Sequence, residues 1–261
     1  MTSPIEPRTA SLYHASRAPA VEPGTAAAIV AAAAASYLVA LALAPHALAF
    51  VVAQLTLVAA TLTGVVVTRP ARPLAAIGLR GARPRFFAAA IAIGATTWYV
   101  NAWLVSWLVR RLAISNAEID HLQGLVEGPQ LITSLAMFAV LPAICEELVF
   151  RGVLARSLGR YRSLAAAAAI SGVVFAAYHL SLVQAVPTLT LGALLAVIAI
   201  RADSIAPSVV AHALNNAIAI AMSRGALPQL DSWLTAHPLL TLGGCTLAIA
   251  GGTTIAARGS A

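Results

Sequence analysis

Apolar residues run along the chain in long blocks separated by short polar stretches. By length and apolar continuity about eight of these blocks read as membrane-spanning helices, at 26–44, 47–68, 86–108, 131–158, 163–182, 186–200, 204–223 and 238–257. The first two are separated only by the Pro45-His46 turn. Between the second and third, Arg69 to Arg85 contains five Arg and no acid, and Ala75–Leu79 within it suits a short interfacial segment. The 109–130 connection opens with Arg110-Arg111 and then turns acidic at Glu118, Asp120 and Glu127. No repeat of 20–50 residues is visible. The expected fold is all-α, a polytopic membrane helix bundle. Residues 1–25, with Pro4, Pro7, Pro19 and Pro23, read as a disordered N-terminal tail. The apolar run that follows lacks a cleavage site and is expected to stay as an anchor. Residues 26–128 form lead-in transmembrane helices, 129–223 hold most of the polar intramembrane groups, and 224–261 form a loop and the last transmembrane helix.

Composition agrees with this picture. The 261 residues are 60% hydrophobic and 10% charged, with a mean hydropathy of +0.88; a soluble domain carries about 25% charged residues. The net charge of +7 comes from sixteen Arg and no Lys against nine acids. No basic run is interleaved with aromatics, so the excess reads as a topology signal and not a nucleic-acid face. Placing Arg69 to Arg85 in the cytoplasm also puts Arg156, Arg160, Arg162, Arg201 and Arg258 there, with both termini on the cytoplasmic side of the cell membrane. Cys145 and Cys245 lie in apolar segments without metal-site spacing and are expected to behave as small buried hydrophobes with no disulfide.

The candidate chemistry begins at Pro142-Ala-Ile-Cys-Glu146-Glu147-Leu-Val-Phe-Arg151. An ionisable group at membrane depth costs at least ~2.5–3.5 kcal/mol, so it needs a partner or a task. Glu147 and Arg151 are spaced to pair along one helix face, while Glu146 points about 100° away and is left for other work. Pro142 removes a backbone donor and is expected to kink the helix. Two further pairs follow, Phe175 with His179 and His212 with Asn216, each four residues apart; Asn215 is the lesser candidate. If 131–158 and 163–182 form a hairpin turning near Arg160, Glu146 lies ~21 Å and His179 ~24 Å from the turn, at the same depth. His212 joins them only if the Arg201–Ser204 turn is sunk into the membrane.

Each group has a plain structural use: a clasp for Glu147–Arg151, a bonded core residue for His179, interhelical glue for His212–Asn216. Together they can also activate a water. A carboxylate serves as general base with one His orienting the water, and the other His with Asn216 donates to an oxyanion. Alternatively His179, His212 and Glu146 hold a catalytic zinc or another divalent metal with one position open. A rhomboid-type serine site would have to use Ala169-Ile-Ser171-Gly172, which lacks the first Gly of that motif. Readings from other classes are a proton-coupled transporter and a non-catalytic membrane scaffold or immunity protein.

In order and type, Glu146-Glu147-Leu-Val-Phe-Arg151, Phe175-Ala-Ala-Tyr-His179 and His212-Ala-Leu-Asn-Asn216 resemble the signature of the CPBP family, which contains type II CAAX prenyl proteases and bacteriocin-processing or immunity enzymes. The resemblance covers about 129–223 and implies a protease core there. It implies an intramembrane endopeptidase in which Glu146 is the general base and His179 helps it hold the water. His212 and Asn216 would bind metal or oxyanion, and Glu147, Arg151 and Phe175 would support them. Both a metalloprotease and a metal-free glutamate mechanism have been argued within the family. The implied partners are the lipid bilayer and a membrane-embedded or lipid-anchored protein or peptide, with no nucleic acid. The Ala- and Arg-rich, Lys-free composition points to a bacterium with a GC-rich genome.

Overall fold

Prolines mark where many of the helices begin. Pro23, Pro73, Pro84, Pro228 and Pro238 are first residues, and Pro207 is second; proline has no N–H to lose there and its φ is already helical. The computed structural model describes residues 20–44, 48–112 and 117–258. Within them the regular structure is helical throughout: α1 (Pro23–Leu43), α2 (Ala49–Val67), α3 (Pro73–Ala76), α4 (Pro84–Leu112), α5 (Ala117–Glu127), α6 (Leu131–Tyr161), α7 (Leu164–Tyr178), α8 (Leu182–Ala202), α9 (Ala206–Ser223), α10 (Pro228–Ala236) and α11 (Pro238–Ala257). Residues 1–19 of the expected tail and the Pro45-His46 turn lie outside the described residues.

Six helices, α1, α2, α4, α6, α8 and α11, are long and apolar enough to cross a membrane. The other two expected spans fall short. α7 is apolar but has 15 residues, because the chain turns at 179–181, with Leu180 at φ 50°. α9 has 18 residues, and His212, Asn215 and Asn216 lower its hydropathy. Conversely, the expected 186–200 span extends to 182–202 and continues through Pro187.

The polarity of the bundle is inverted relative to a water-soluble protein. Large apolar side chains such as Val39, Leu55, Ile91, Val173 and Leu247 are exposed, while Gln54, Glu146, Glu147, Arg151 and His212 are buried. An apolar surface this extensive fits lipid and not water. α6 runs through the middle, packed by α1, α2, α7, α8 and α9.

Two buried pairs set the register of α6 against α9. At one end of the bundle Arg156 donates to Asp203 Oδ1 through Nη2 at 2.7 Å and Nε at 3.1 Å. Nine residues along each helix, Glu147 meets His212. This antiparallel register fixes where the turn before α9 lies along α6. The Arg201–Ser204 turn lies level with Arg156, well short of the end of α6, and the segment after α3 covers it. Ile205 N–H donates to Gly78 O at 3.0 Å, the Ser204 hydroxyl donates to Arg80 O at 2.5 Å, and Arg80 Nη1 reaches Asp203 Oδ2 at 2.8 Å. Arg156, counted among the cytoplasmic-side charges, is 3% exposed and also donates to Ala76 O and Ala75 O. Within the expected interfacial piece at 75–79, Ala76 and Ile77 are buried against the bundle, at 0% and 1% exposure, while Leu79 is exposed. Arg85 Nη1 lies 3.5 Å from Arg258 O, which brings the start of α4 and the end of α11 together.

α4 and α9 cross where α4 has no side chain. A Cβ on Gly94 would overlap the Ala211 carbonyl, next to His212. Gly94→Ala is therefore expected to push α9 outward and cost about 1–3 kcal/mol, as overpacking does. Thermal unfolding in detergent checks this, with Gly251→Ala as the control because a Cβ there meets nothing within 4 Å.

Candidate active site

The site depends on α6 not being a regular α-helix. Ala136–Val140 and Glu147–Ala155 are wound with the wider i→i+5 spacing of a π-helix, a distortion common at functional sites. Pro142 explains part of it. With no N–H it leaves the Phe138 carbonyl without its i+4 donor, and Asn216 Nδ2 supplies one from α9 at 3.2 Å. Asn216 Oδ1 in turn accepts from Asn215 Nδ2 at 3.1 Å. The expected kink is thus a local widening tied to α9 by an amide.

Glu147, Arg151 and His212 form one buried unit. Arg151 Nη1 donates to Glu147 Oε1 at 2.7 Å, and both side chains are 0% exposed. Arg151 Nη2 donates to Gly192 O at 3.2 Å, and its guanidinium lies 4.3 Å from the Phe175 ring centroid. The Gly172–Gly192 contact between α7 and α8 makes that carbonyl reachable, since a Cβ on Gly192 would lie 3.1 Å from Gly172 Cα and from Phe175 Cδ1. The same Glu147 Oε1 lies 2.9 Å from His212 Nδ1. A carboxylate oxygen accepts, so Nδ1 carries the hydrogen and Nε2 is turned to the other side of the ring.

On that side lies Glu146. His212 Nε2 is 4.0 Å from Glu146 Oε2, and these side chains are 4% and 6% exposed. Glu146 Oε1 accepts from Gln54 Nε2, on α2, at 3.0 Å. The sequence left Glu146 without a partner; the structure provides two neighbours, and His212 stands between the two glutamates. A single water at ordinary ~2.8 Å hydrogen-bond distances can touch both Glu146 Oε2 and His212 Nε2.

His179 reaches this group through Phe175. α7 ends at Tyr178, and the His179 N–H bonds back to Ala176 O, so the Phe175 carbonyl loses its helical donor. The imidazole replaces it, with Nδ1 2.9 Å from Phe175 O, which makes Nδ1 the donor. The rings of His179 and His212 stand edge-on to Phe175, at 4.8 and 6.0 Å between centroids. α6 packs on α7 through Phe150, which lies 5.0 Å from Phe175 and 5.2 Å from Tyr178 between ring centroids. Ser171 donates to Phe150 O at 3.5 Å.

A catalytic zinc takes three protein ligands. Among the described residues no three His, Cys, Asp or Glu side chains stand close enough to share a metal ion. Of Glu146, His179 and His212, only Glu146 and His212 converge within 4.0 Å. The expected three-ligand set does not fit as it stands. A cavity of about 540 Å³ lies elsewhere, between α4, α10 and α11, lined by apolar groups including Trp98, Trp233 and Leu240.

The residue missed from the sequence is Gln54. The signal was available: an amide in an otherwise apolar and threonine-bearing helix, AFVVAQLTLVAATLTGVVV, is itself a polar group at membrane depth.

A helical membrane bundle enclosing two carboxylates, an arginine and two imidazoles belongs to the class of multi-pass membrane proteins with a buried polar centre. Residues 128–218 match the family model described as type II CAAX prenyl endopeptidase Rce1-like. The match makes that part of the chain similar to this family of membrane proteases, and Glu146, His179, His212 and Asn216 all lie inside it. No curated protein and no solved structure matches the chain.

Proposed function

We propose that the protein is an intramembrane endopeptidase that hydrolyses a peptide bond of a membrane-embedded or lipid-anchored protein or peptide. The observation that carries this reading is the approach of Glu146 Oε2 to His212 Nε2 in a buried site. Glu146 takes a proton from the water that lies against Oε2, and the water oxygen attacks the scissile carbonyl carbon. His179, on the other edge of Phe175, helps orient that water. His212 and the second Nδ2–H of Asn216 stabilise the developing oxyanion. When the C–N bond breaks, Glu146 returns the proton to the leaving amine. Glu147, Arg151 and Phe175 hold these groups in place. The chain sits in the cell membrane, with the Arg80–Arg156–Arg258 end and both termini in the cytoplasm.

The test is cleavage of a quenched farnesylated CAAX peptide and a membrane-peptide panel by purified protein in detergent, with zinc content measured alongside. Wild type should cleave at least one substrate, and Glu146→Ala and His179→Ala should not. Zinc at one ion per chain, lost in His179→Ala, would overturn water activation by side chains alone in favour of the metal alternative.

A further inference from the structure

The side chain that touches Glu146 most closely comes from outside the matched domain. Gln54 lies on α2, 92 positions before Glu146, and is 0% exposed. It sits on the buried stripe Ala49, Ala53, Leu57, Thr61 and Val65, on which the only other polar group, the Thr61 hydroxyl, donates to its own helix at Leu57 O. Gln54 has no such local outlet. Its Nε2 donates to Glu146 Oε1 at 3.0 Å, while its own Oε1 is buried with no hydrogen-bond partner among the described residues. Burying half of an amide unsatisfied costs free energy that a methionine or leucine of similar volume would avoid. The feature that distinguishes glutamine from those residues here is the donor it presents to Glu146.

We infer that Gln54 is a positioning residue of the active site, holding one oxygen of Glu146 so that the other, Oε2, faces His212 Nε2. This rests on the proposed hydrolase reading, in which Oε2 is the oxygen that takes the proton. With Oε1 occupied, the carboxylate cannot rotate to present either oxygen at will, and the base enters the reaction already oriented. The unpartnered Gln54 Oε1 leaves one acceptor beside the carboxylate. The inference also makes α2 part of the site, although the matched domain begins at residue 128.

The experiment uses the full chain with Gln54→Met, which keeps length and volume but not the donor, and Gln54→Glu, which places an acceptor against an acceptor. Turnover of the farnesylated peptide should fall roughly 10- to 100-fold in kcat for Gln54→Met, the size of one lost hydrogen bond to a charged group. KM should stay within about twofold, because Gln54 acts through Glu146 and not on substrate. Gln54→Glu should lose at least as much. Infrared difference spectra give a readout independent of turnover: the carboxylate band of Glu146, identified by its absence in Glu146→Gln, should shift in Gln54→Met. An unchanged kcat overturns the inference, as does a loss that only follows the fraction of unfolded protein while the band stays put. If wild type cleaves nothing, the hydrolase reading fails, and the band alone still decides whether Gln54 holds the carboxylate.

Discussion

Glu146→Gln is expected to lower kcat/KM by about 10²–10⁴-fold, the contribution of a general base, with little change in the unfolding temperature. The substitution keeps shape, and the new amide oxygen still accepts from Gln54 Nε2, which now bonds Glu146 Oε1 at 3.0 Å. What is lost is the oxygen facing His212 Nε2 at 4.0 Å as a proton acceptor. Rates with the cleaved peptide and thermal unfolding of the same preparations check both halves. A variant that retains most of its activity would remove Glu146 from the chemistry.

The second large effect is on stability. Arg151→Met is expected to destabilise the protein by about 3–5 kcal/mol, because removing one partner leaves the other charge buried and uncompensated. Glu147 and Arg151 are both 0% exposed, and Glu147 would keep only the His212 contact. Arg151 also supports α8 through Gly192 O and covers the face of Phe175. The pair Glu147→Leu with Arg151→Met should be less harmful than the sum of the singles, since replacing both charges avoids the orphan. Unfolding in mixed SDS micelles measures this. A loss near the ~0–1 kcal/mol of an exposed ion pair would contradict the buried clasp.

Much of this site was legible because its parts are local. The Glu147–Arg151 pair follows from a four-residue spacing, and the packing of α7 on α6 follows from one hairpin turn. His212 required a condition that spacing alone does not supply, a turn sunk into the membrane. In the structure long-range bonds tie the 203–205 turn to Gly78, Arg80 and Arg156 within the bundle. Two features stayed hidden for physical reasons. The wide winding of Glu147–Ala155 leaves no mark in residue spacing, and both carboxylates come to lie near His212 because the two nitrogens of its ring face one each. Gln54 lies in a helix remote in sequence, and only tertiary packing shows that its amide ends on Glu146. A charge count likewise cannot see that Asp203 and two backbone carbonyls surround Arg156.

The most direct test of the central claim is product analysis after incubating the wild-type chain, in proteoliposomes, with a farnesylated CAAX peptide and the membrane-peptide panel in heavy-oxygen water. The account predicts two fragments from a single bond, one label atom in the new carboxylate, and neither fragment with Glu146→Gln. Intact peptides beside folded wild-type protein, together with proton flux that depends on Glu146, would contradict it and support a carrier instead.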